Sequence, residues 1–299
     1  MAEVLTRGTM LPPQIVEGMF NKVGGHSSLA ALGANAPIPF NGTKEFTFTL
    51  DKEADIVAEN GAKSNGGATV DYVTIIPIKF EYGARVSDEF LYGSEEYRLG
   101  VLQSFAEGAS KKFARGMDLA GMHGVNPRTG TESDVVGDNC FDKKVTNEVL
   151  YVAANADENI DTALSMVEAA DGTATGIAMS PTMRSAIAQI KANGMRVYPE
   201  FAFGAAPKSL GGMELDVNNT VNGASSKDVA IVGDFANAFK WGYSKEIPLE
   251  VIEYGNPDND AQLGDLKGHN QVYLRAEVYI GWGILAPEYF SRIVTELSA

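Results

Sequence analysis

Hydrophobic positions recur at helical spacing along residues 94–123, the longest periodic segment of the chain. Ser94 precedes Glu95 and Glu96, and serine caps followed by carboxylates favour a helix N-terminus. The pattern predicts a helix about 45 Å long, preceded by one short turn that begins near Ser87. Its apolar or small face comprises Leu99, Leu102, Phe105, Ala106, Ala109, Phe113, Met117 and Ala120.

Three glycines interrupt this predicted helix at intervals of eight residues. Gly100, Gly108 and Gly116 each cost the helix about 1 kcal/mol relative to alanine. Two interpretations remain open: close packing against another backbone, or hinges in a helix that must bend.

Period-two alternation predicts strands over residues 44–50 and 72–86. Together they form a predicted antiparallel hairpin with a polar, Gly-rich tip, and Pro77 marks an edge position or a bulge. Because an isolated two-stranded ribbon is marginal in water, we expect it to lie on another surface.

The remaining chain mixes helices and strands. Residues 159–170 are predicted helical, and Pro181 opens a helix over residues 182–192 that stops at Asn193-Gly194. Residues 1–40 contain many breakers and predict an irregular arm with one amphipathic turn at 14–20. The fold class is therefore α+β. Predicted strands are 176–179, 210–217, 229–234, 239–243, 249–253 and a long last strand at 271–286.

Composition and charge narrow the function. The 299 residues carry a formal charge of −15, which argues against a chain that grips phosphate backbones. No run approaches a membrane span and the N-terminus lacks a signal-peptide core, so we expect a soluble protein made in the cytoplasm. Cys140 is the single cysteine, which excludes an intrachain disulfide.

Sequence motifs that would indicate a catalytic, phosphate-binding or metal-binding site are weak. The segment from Gly61 to Ser64 lacks the glycines of a phosphate-binding loop. The three histidines have no histidine or cysteine at ligand spacing, and the acidic loop at 256–260 places Leu263 where a calcium loop needs glycine. No nucleophile motif appears. We therefore predict no cofactor and no enzyme activity.

The order of several segments carries a resemblance that covers nearly the whole chain. Together they resemble the major capsid proteins of tailed bacteriophages, which have the Hong Kong 97 fold. The segments are ADIVAENGAK, VSDEFL, GIAMSPTMRSAIAQIK, SLGGMELDV, AIVGDFANAFKWGYSKEIPLEV and VYLRAEVYIGWGILAPEYF.

This resemblance implies a domain plan and a function. The function is a major capsid protein that assembles into pentamers and hexamers of an icosahedral head enclosing double-stranded DNA. The implied plan is an N-terminal arm (1–40), an extended loop or β-ribbon (41–86), a spine helix with a peripheral domain (87–149), an axial domain (150–268) and a return strand completing the peripheral domain (269–299).

The resemblance also implies partners and a location. We expect homo-oligomers in a virion capsid assembled in the host cytoplasm, with a portal and decoration proteins as partners and no membrane. Because the arm begins almost at Met1, a separate scaffolding protein is expected. The alternatives are an encapsulin-type compartment shell of the same fold and, from another class, an α+β hydrolase.

Some site residues follow from the implied loop. Asp55, Glu59, Lys63 and Asn65 are expected to contact a neighbouring subunit. Some members of the family crosslink neighbouring subunits through a lysine and an asparagine assisted by a glutamate, roles that Lys63 and Glu277 match by type. Because such common residues match easily by chance, we interpret both as solvated charges.

Overall fold

The structure is a computed structural model that describes residues 27–50, 52–246 and 249–298. The amphipathic turn predicted at 14–20 lies outside these residues. The helices are α1 (Ser28–Leu32), α2 (Glu89–Tyr92), α3 (Glu95–His123), α4 (Phe141–Lys144), α5 (Ala156–Ala169) and α6 (Pro181–Gln189).

Strands fill most of the remaining described chain. They are β1 (Ala34–Asn35), β2 (Thr43–Leu50), β3 (Ala68–Ile75), β4 (Ile78–Ser87), β5 (Glu148–Leu150), β6 (Gly176–Met179), β7 (Lys191–Ala192), β8 (Met195–Arg196), β9 (Ser209–Leu210), β10 (Met213–Val217), β11 (Asp228–Gly233), β12 (Phe239–Glu246), β13 (Glu250–Ile252), β14 (Gln271–Ile284) and β15 (Phe290–Val294).

Helix α3 confirms the predicted long helix. The Ser94 hydroxyl accepts a hydrogen bond from the backbone N–H of Tyr97 at 3.3 Å, and Gly124 ends the helix in the left-handed region. Its last eight residues, Gly116 to His123, are all buried, whereas its first two turns are largely exposed. The C-terminal end of α3 therefore lies inside the core, and its N-terminal end lies near the surface.

Strand β14 organises the first of two larger sheets formed by the described residues. One edge of β14 pairs with β4 over residues 271–280, and its other edge pairs with β12 and β13. The second sheet has the order β5-β15-β11-β6-β10-β9. Helix α3 packs against β14 and β4, which places the main core between α3 and the first sheet.

Sheet membership divides the chain differently from the domain boundaries drawn on the sequence. Strands β12 and β13 lie within the predicted axial segment but join the sheet of β14. Strand β15 lies within the predicted return segment but joins the six-stranded sheet. The chain therefore crosses between the two sheets more often than a division at residues 150 and 268 implies.

The hairpin prediction needs a correction at its second strand. Residues 72–86 form two strands instead of one, because Ile76 and Pro77 interrupt the ladder. Strand β3 pairs with β2 in a two-stranded ribbon, whereas β4 belongs to the sheet of β14. The ribbon therefore comprises residues 43–75 and is attached to the sheet through Pro77.

Two other local predictions were wrong. Helix α6 ends at Gln189, and Asn193-Gly194 forms the turn between β7 and β8 instead of a helix stop, with both residues at positive φ. In the predicted irregular arm, α1 is capped by Ser27 and buries Leu29 and Leu32, and β1 pairs with β12. These apolar residues find partners within the subunit core.

Candidate functional site

The ribbon of β2 and β3 presents an exposed apolar face. Phe46 lies directly opposite Tyr72, and Leu50 opposite Ala68, so these side chains share one face of the ribbon with Val70. Phe46 is 72% exposed, Leu50 66%, Val70 59% and Tyr72 54%. A contiguous apolar surface of this kind is typical of a protein interaction site.

The base of the ribbon is fixed to the sheet. Ile75 is buried against the glycines of β14, where a methyl group added at Gly283 would lie 2.7 Å from the Ile75 side chain. The Lys240 ammonium lies 2.8 Å from a Glu45 carboxylate oxygen. Among the described residues, the ribbon is therefore held to the sheet at its base, and its outer part extends away from the sheet.

The predicted contact residues Asp55, Glu59, Lys63 and Asn65 are all exposed in the loop between β2 and β3. A turn at its tip places Asn60 at positive φ, and the Lys52 ammonium donates to the Asn65 backbone carbonyl at 3.0 Å. The loop therefore carries mixed charges at its tip, beyond the apolar face.

The three helix glycines lie in different surroundings. A methyl group added at Gly100 or Gly108 meets no atom within 4 Å. One added at Gly116 lies 3.2 Å from the Phe80 ring and 3.3 Å from Pro127. Among the three, only Gly116 is closely packed within the described subunit, and its neighbours are side chains instead of the second backbone that the close-packing interpretation expected.

Lys63 and Glu277 lie on separate elements, the loop tip and β14. Glu277 is buried, 2.6 Å from the Lys79 ammonium and 3.5 Å from Arg275 Nε. The hydrogen bond that Lys79 donates to Glu277 raises the pKa of Lys79. The interpretation of Glu277 as a solvated charge was therefore wrong, because two cations of the same subunit engage its buried carboxylate.

The acidic loop at 256–260 is organised by a guanidinium. Arg85 lies 2.8 Å from the Asn256 side-chain oxygen and 2.5 Å from a carboxylate oxygen of Asp258. Its hydrogen bonds to Asp258 lower the pKa of that carboxyl to about 2. The acidic loop therefore holds β4 in place through Arg85.

One buried group of ionisable side chains was missed by the sequence analysis. His123, Asp142 and Asp228 come from three distant segments, and their ligand atoms lie within 4.8 Å of one another. Ligand-spacing motifs lie within one segment of the chain, so no signal in the sequence connected these three residues.

Comparison with known proteins identifies the class. The model of the phage capsid family matches residues 7–294. A solved structure from Mycobacterium phage Ogopogo shares 30% identity with a TM-score of 0.78, covering 90% of this chain and 92% of that one. One from Gordonia phage Cozz shares 25% identity with a TM-score of 0.75, covering 92% and 87%.

A third solved structure extends the likeness in fold. The capsid of a native GTA particle is 14% identical with a TM-score of 0.64, covering 100% of this chain and 94% of that one. No curated protein matches the sequence.

The chain belongs to the phage capsid family. It is a major capsid protein of a phage head with the Hong Kong 97 fold, a structural protein whose subunits assemble as oligomers in the virion shell. The encapsulin alternative is not favoured. In the described part of the chain, no helix is both long and apolar enough to span a bilayer.

Proposed function

We propose that this chain builds an icosahedral shell of pentamers and hexamers, in which the ribbon of each subunit lies on a neighbouring subunit. The observation that carries this proposal is the exposed apolar face of Phe46, Leu50, Val70 and Tyr72. Burying such a face against a second copy gains roughly 25 cal/mol per Å² of apolar surface.

The geometry of the ribbon supports a neighbour as the occupant. Its base is held by Ile75 and by the Lys240–Glu45 ion pair, so the subunit fixes the direction in which the ribbon leaves the sheet. A contact between two different surfaces, repeated by rotation, closes into a ring. Rings of five and six subunits then tile a shell.

Electrostatics supports DNA as enclosed cargo without a gripping contact. The chain carries 39 acidic and 24 basic residues, so its average surface repels phosphate. A lining of this sign lets packed DNA move against the shell. A separate scaffolding protein, a portal, decoration proteins and assembly in the host cytoplasm are proposed on the family resemblance.

The test is the mass of the assembled chain. We expect the purified protein, alone or with its scaffold, to sediment as rings or shells far above its 31.9 kDa monomer mass and to appear as such by negative-stain microscopy. A stable monomer at high concentration with scaffold supplied would contradict the proposal.

A further inference from the structure

The largely buried group of His123, Asp142 and Asp228 lies where the spine helix meets the six-stranded sheet. His123 is the last residue of α3, Asp142 lies in α4, and Asp228 begins β11. Arg292 of β15 contacts both carboxylates. We call the first three residues the His123 triad.

The tautomer of His123 follows from its hydrogen bond. Its Nε2 lies 2.9 Å from the Thr220 backbone carbonyl oxygen, which only accepts, so Nε2 carries a hydrogen and donates. Its Nδ1 is directed at carboxylate oxygens, 3.1 Å from Asp142 Oδ2 and 3.9 Å from Asp228 Oδ2. A neutral ring would face these two carboxylates with a lone pair, so a positive charge is required at Nδ1, supplied either by a proton or by a cation.

Arg292 does not supply that charge, because it contacts the other oxygen atom, Oδ1, of each carboxylate. Its Nη2 is 3.2 Å from Asp142 Oδ1 and 2.9 Å from Asp228 Oδ1, whereas the Oδ2 atom of each carboxylate is the one nearer His123 Nδ1. Asp228 is 1% exposed, and its Oδ2 has no hydrogen-bond partner among the described residues. A single proton on Nδ1 would reach Asp142 and leave Asp228 Oδ2 unsatisfied.

The charge balance of the cluster is also incomplete. The Arg292 guanidinium faces three carboxylates, those of Asp142, Asp228 and Glu148. With a neutral imidazole and three ionised carboxylates, one positive charge would offset three negative charges, so protons or a bound cation must supply the rest. Buried carboxylates that lack compensation are costly, and a divalent cation would restore neutrality.

We propose that a divalent metal ion, best matched by Zn²⁺, binds between His123 Nδ1, Asp142 Oδ2 and Asp228 Oδ2. Ligand atoms of a tetrahedral zinc site are about 3.3 Å apart, given bonds of about 2.0 Å. The two distances from Nδ1 bracket that value. Imidazole nitrogen disfavours Mg²⁺ and Ca²⁺, which take oxygen ligands.

Surrounding contacts support a metal-binding role. A metal-bound histidine ordinarily donates its other N–H to a carbonyl or carboxylate, as His123 Nε2 does to Thr220. The Asp142 side chain is 26% exposed, which gives an ion access from solvent. A bound ion would tie the end of α3 to α4 and β11.

The test uses the full chain after treatment with a chelator, titrated with Co²⁺ and Zn²⁺. We expect one Co²⁺ per chain with the visible absorption of a tetrahedral site, displaced by Zn²⁺, and a Zn²⁺-dependent rise in melting temperature. His123→Gln should weaken binding by roughly 100-fold or more, since even indirect partners of a metal contribute 10- to 100-fold.

The matched control is His269→Gln, because His269 is exposed and the described hydrogen bond of its side chain is to the Asp265 backbone carbonyl. It should bind Co²⁺ like the natural chain. If His123→Gln misfolds by circular dichroism, Asp142→Asn at the partly exposed ligand should show the same loss. Absence of Co²⁺ and Zn²⁺ binding in the natural chain, or binding that the folded triad variants retain, would show that protons alone occupy the triad and would overturn the proposal.

Discussion

The ribbon and strand β14 share one sequence pattern and lie in opposite environments. Both alternate apolar and polar residues, yet Phe46 and Leu50 of the ribbon are 72% and 66% exposed, whereas Leu274 and Val278 of β14 are fully buried. Strand β14 has paired strands on both edges and α3 against it. The outer ribbon has only its own two strands.

This difference shows what alternation encodes. The pattern specifies that one face of a strand is to be covered, but it does not specify which molecule provides the cover. For β14 the cover comes from the same chain. For the ribbon we propose that it comes from a neighbouring subunit, and the following predictions test that contrast.

The largest expected effect comes from removing the ribbon tip. Replacing residues 51–67 with an Asn-Gly turn keeps both strands up to Leu50 and from Ala68, and the described residues that it removes, 52–67, are all exposed. We expect a soluble subunit with unchanged circular dichroism that forms no closed shells by electron microscopy.

Two outcomes would count against this prediction. Normal shells from the shortened chain would show that the tip does not clasp a neighbour. An insoluble product would place the loop in the folding core of its own subunit, and the contrast with β14 would disappear.

A matched pair of phenylalanines gives the next effect. Phe141 is fully buried, with ring centroids 5.1 Å from Phe290 and 5.7 Å from Phe239, so Phe141→Ala should lower the free energy of unfolding by about 3–5 kcal/mol. Phe46→Ala should change it by about 0.5 kcal/mol or less and instead reduce assembly.

Denaturant unfolding of dissociated subunits measures the first quantity, and sedimentation of the reassembled chain measures the second. Equal losses of subunit stability in both variants would mean that Phe46 packs within its own subunit. Unchanged assembly of Phe46→Ala would show that the apolar face of the ribbon is not part of the interface.

Some of the fold follows from local chemistry in the sequence. The Ser94 cap and the acidic first turn located the start of α3 within one residue, and Pro181 at the first helical position located α6. The break at Pro77 was harder to interpret. A proline between two strands signals an interruption, but the choice of partners for β3 and β4 depends on residues about 200 positions away in β14.

The candidate site was less predictable than the fold. Gly108 and Gly116 cannot be told apart in the sequence, and the tertiary positions of Phe80 and Pro127 distinguish their surroundings. The His123 triad joins residues separated by up to 105 positions, and its ligands come from a helix end, a four-residue helix and a strand. Spacing rules detect ligands within one segment, so an assembly of this kind requires the tertiary structure.

The smallest expected effect distinguishes the two ends of the spine helix. Gly108 is exposed and an added methyl group there meets no atom within 4 Å, so Gly108→Ala should raise the free energy of unfolding by about 1 kcal/mol. Gly116→Ala serves as the matched control, because its methyl group would press on Phe80 and Pro127 and offset the same gain in helix propensity. Denaturant unfolding of both variants should therefore show a gain in stability only for Gly108→Ala.

If the helix bends at Gly108 during a change in the shell, Gly108→Ala should also slow particle expansion, measured by electron microscopy against Gly116→Ala. Equal stabilisation by both substitutions would mean that the core around Phe80 yields freely, and unchanged expansion in both variants would leave the close approach of a neighbouring subunit as the reason for glycine at 108.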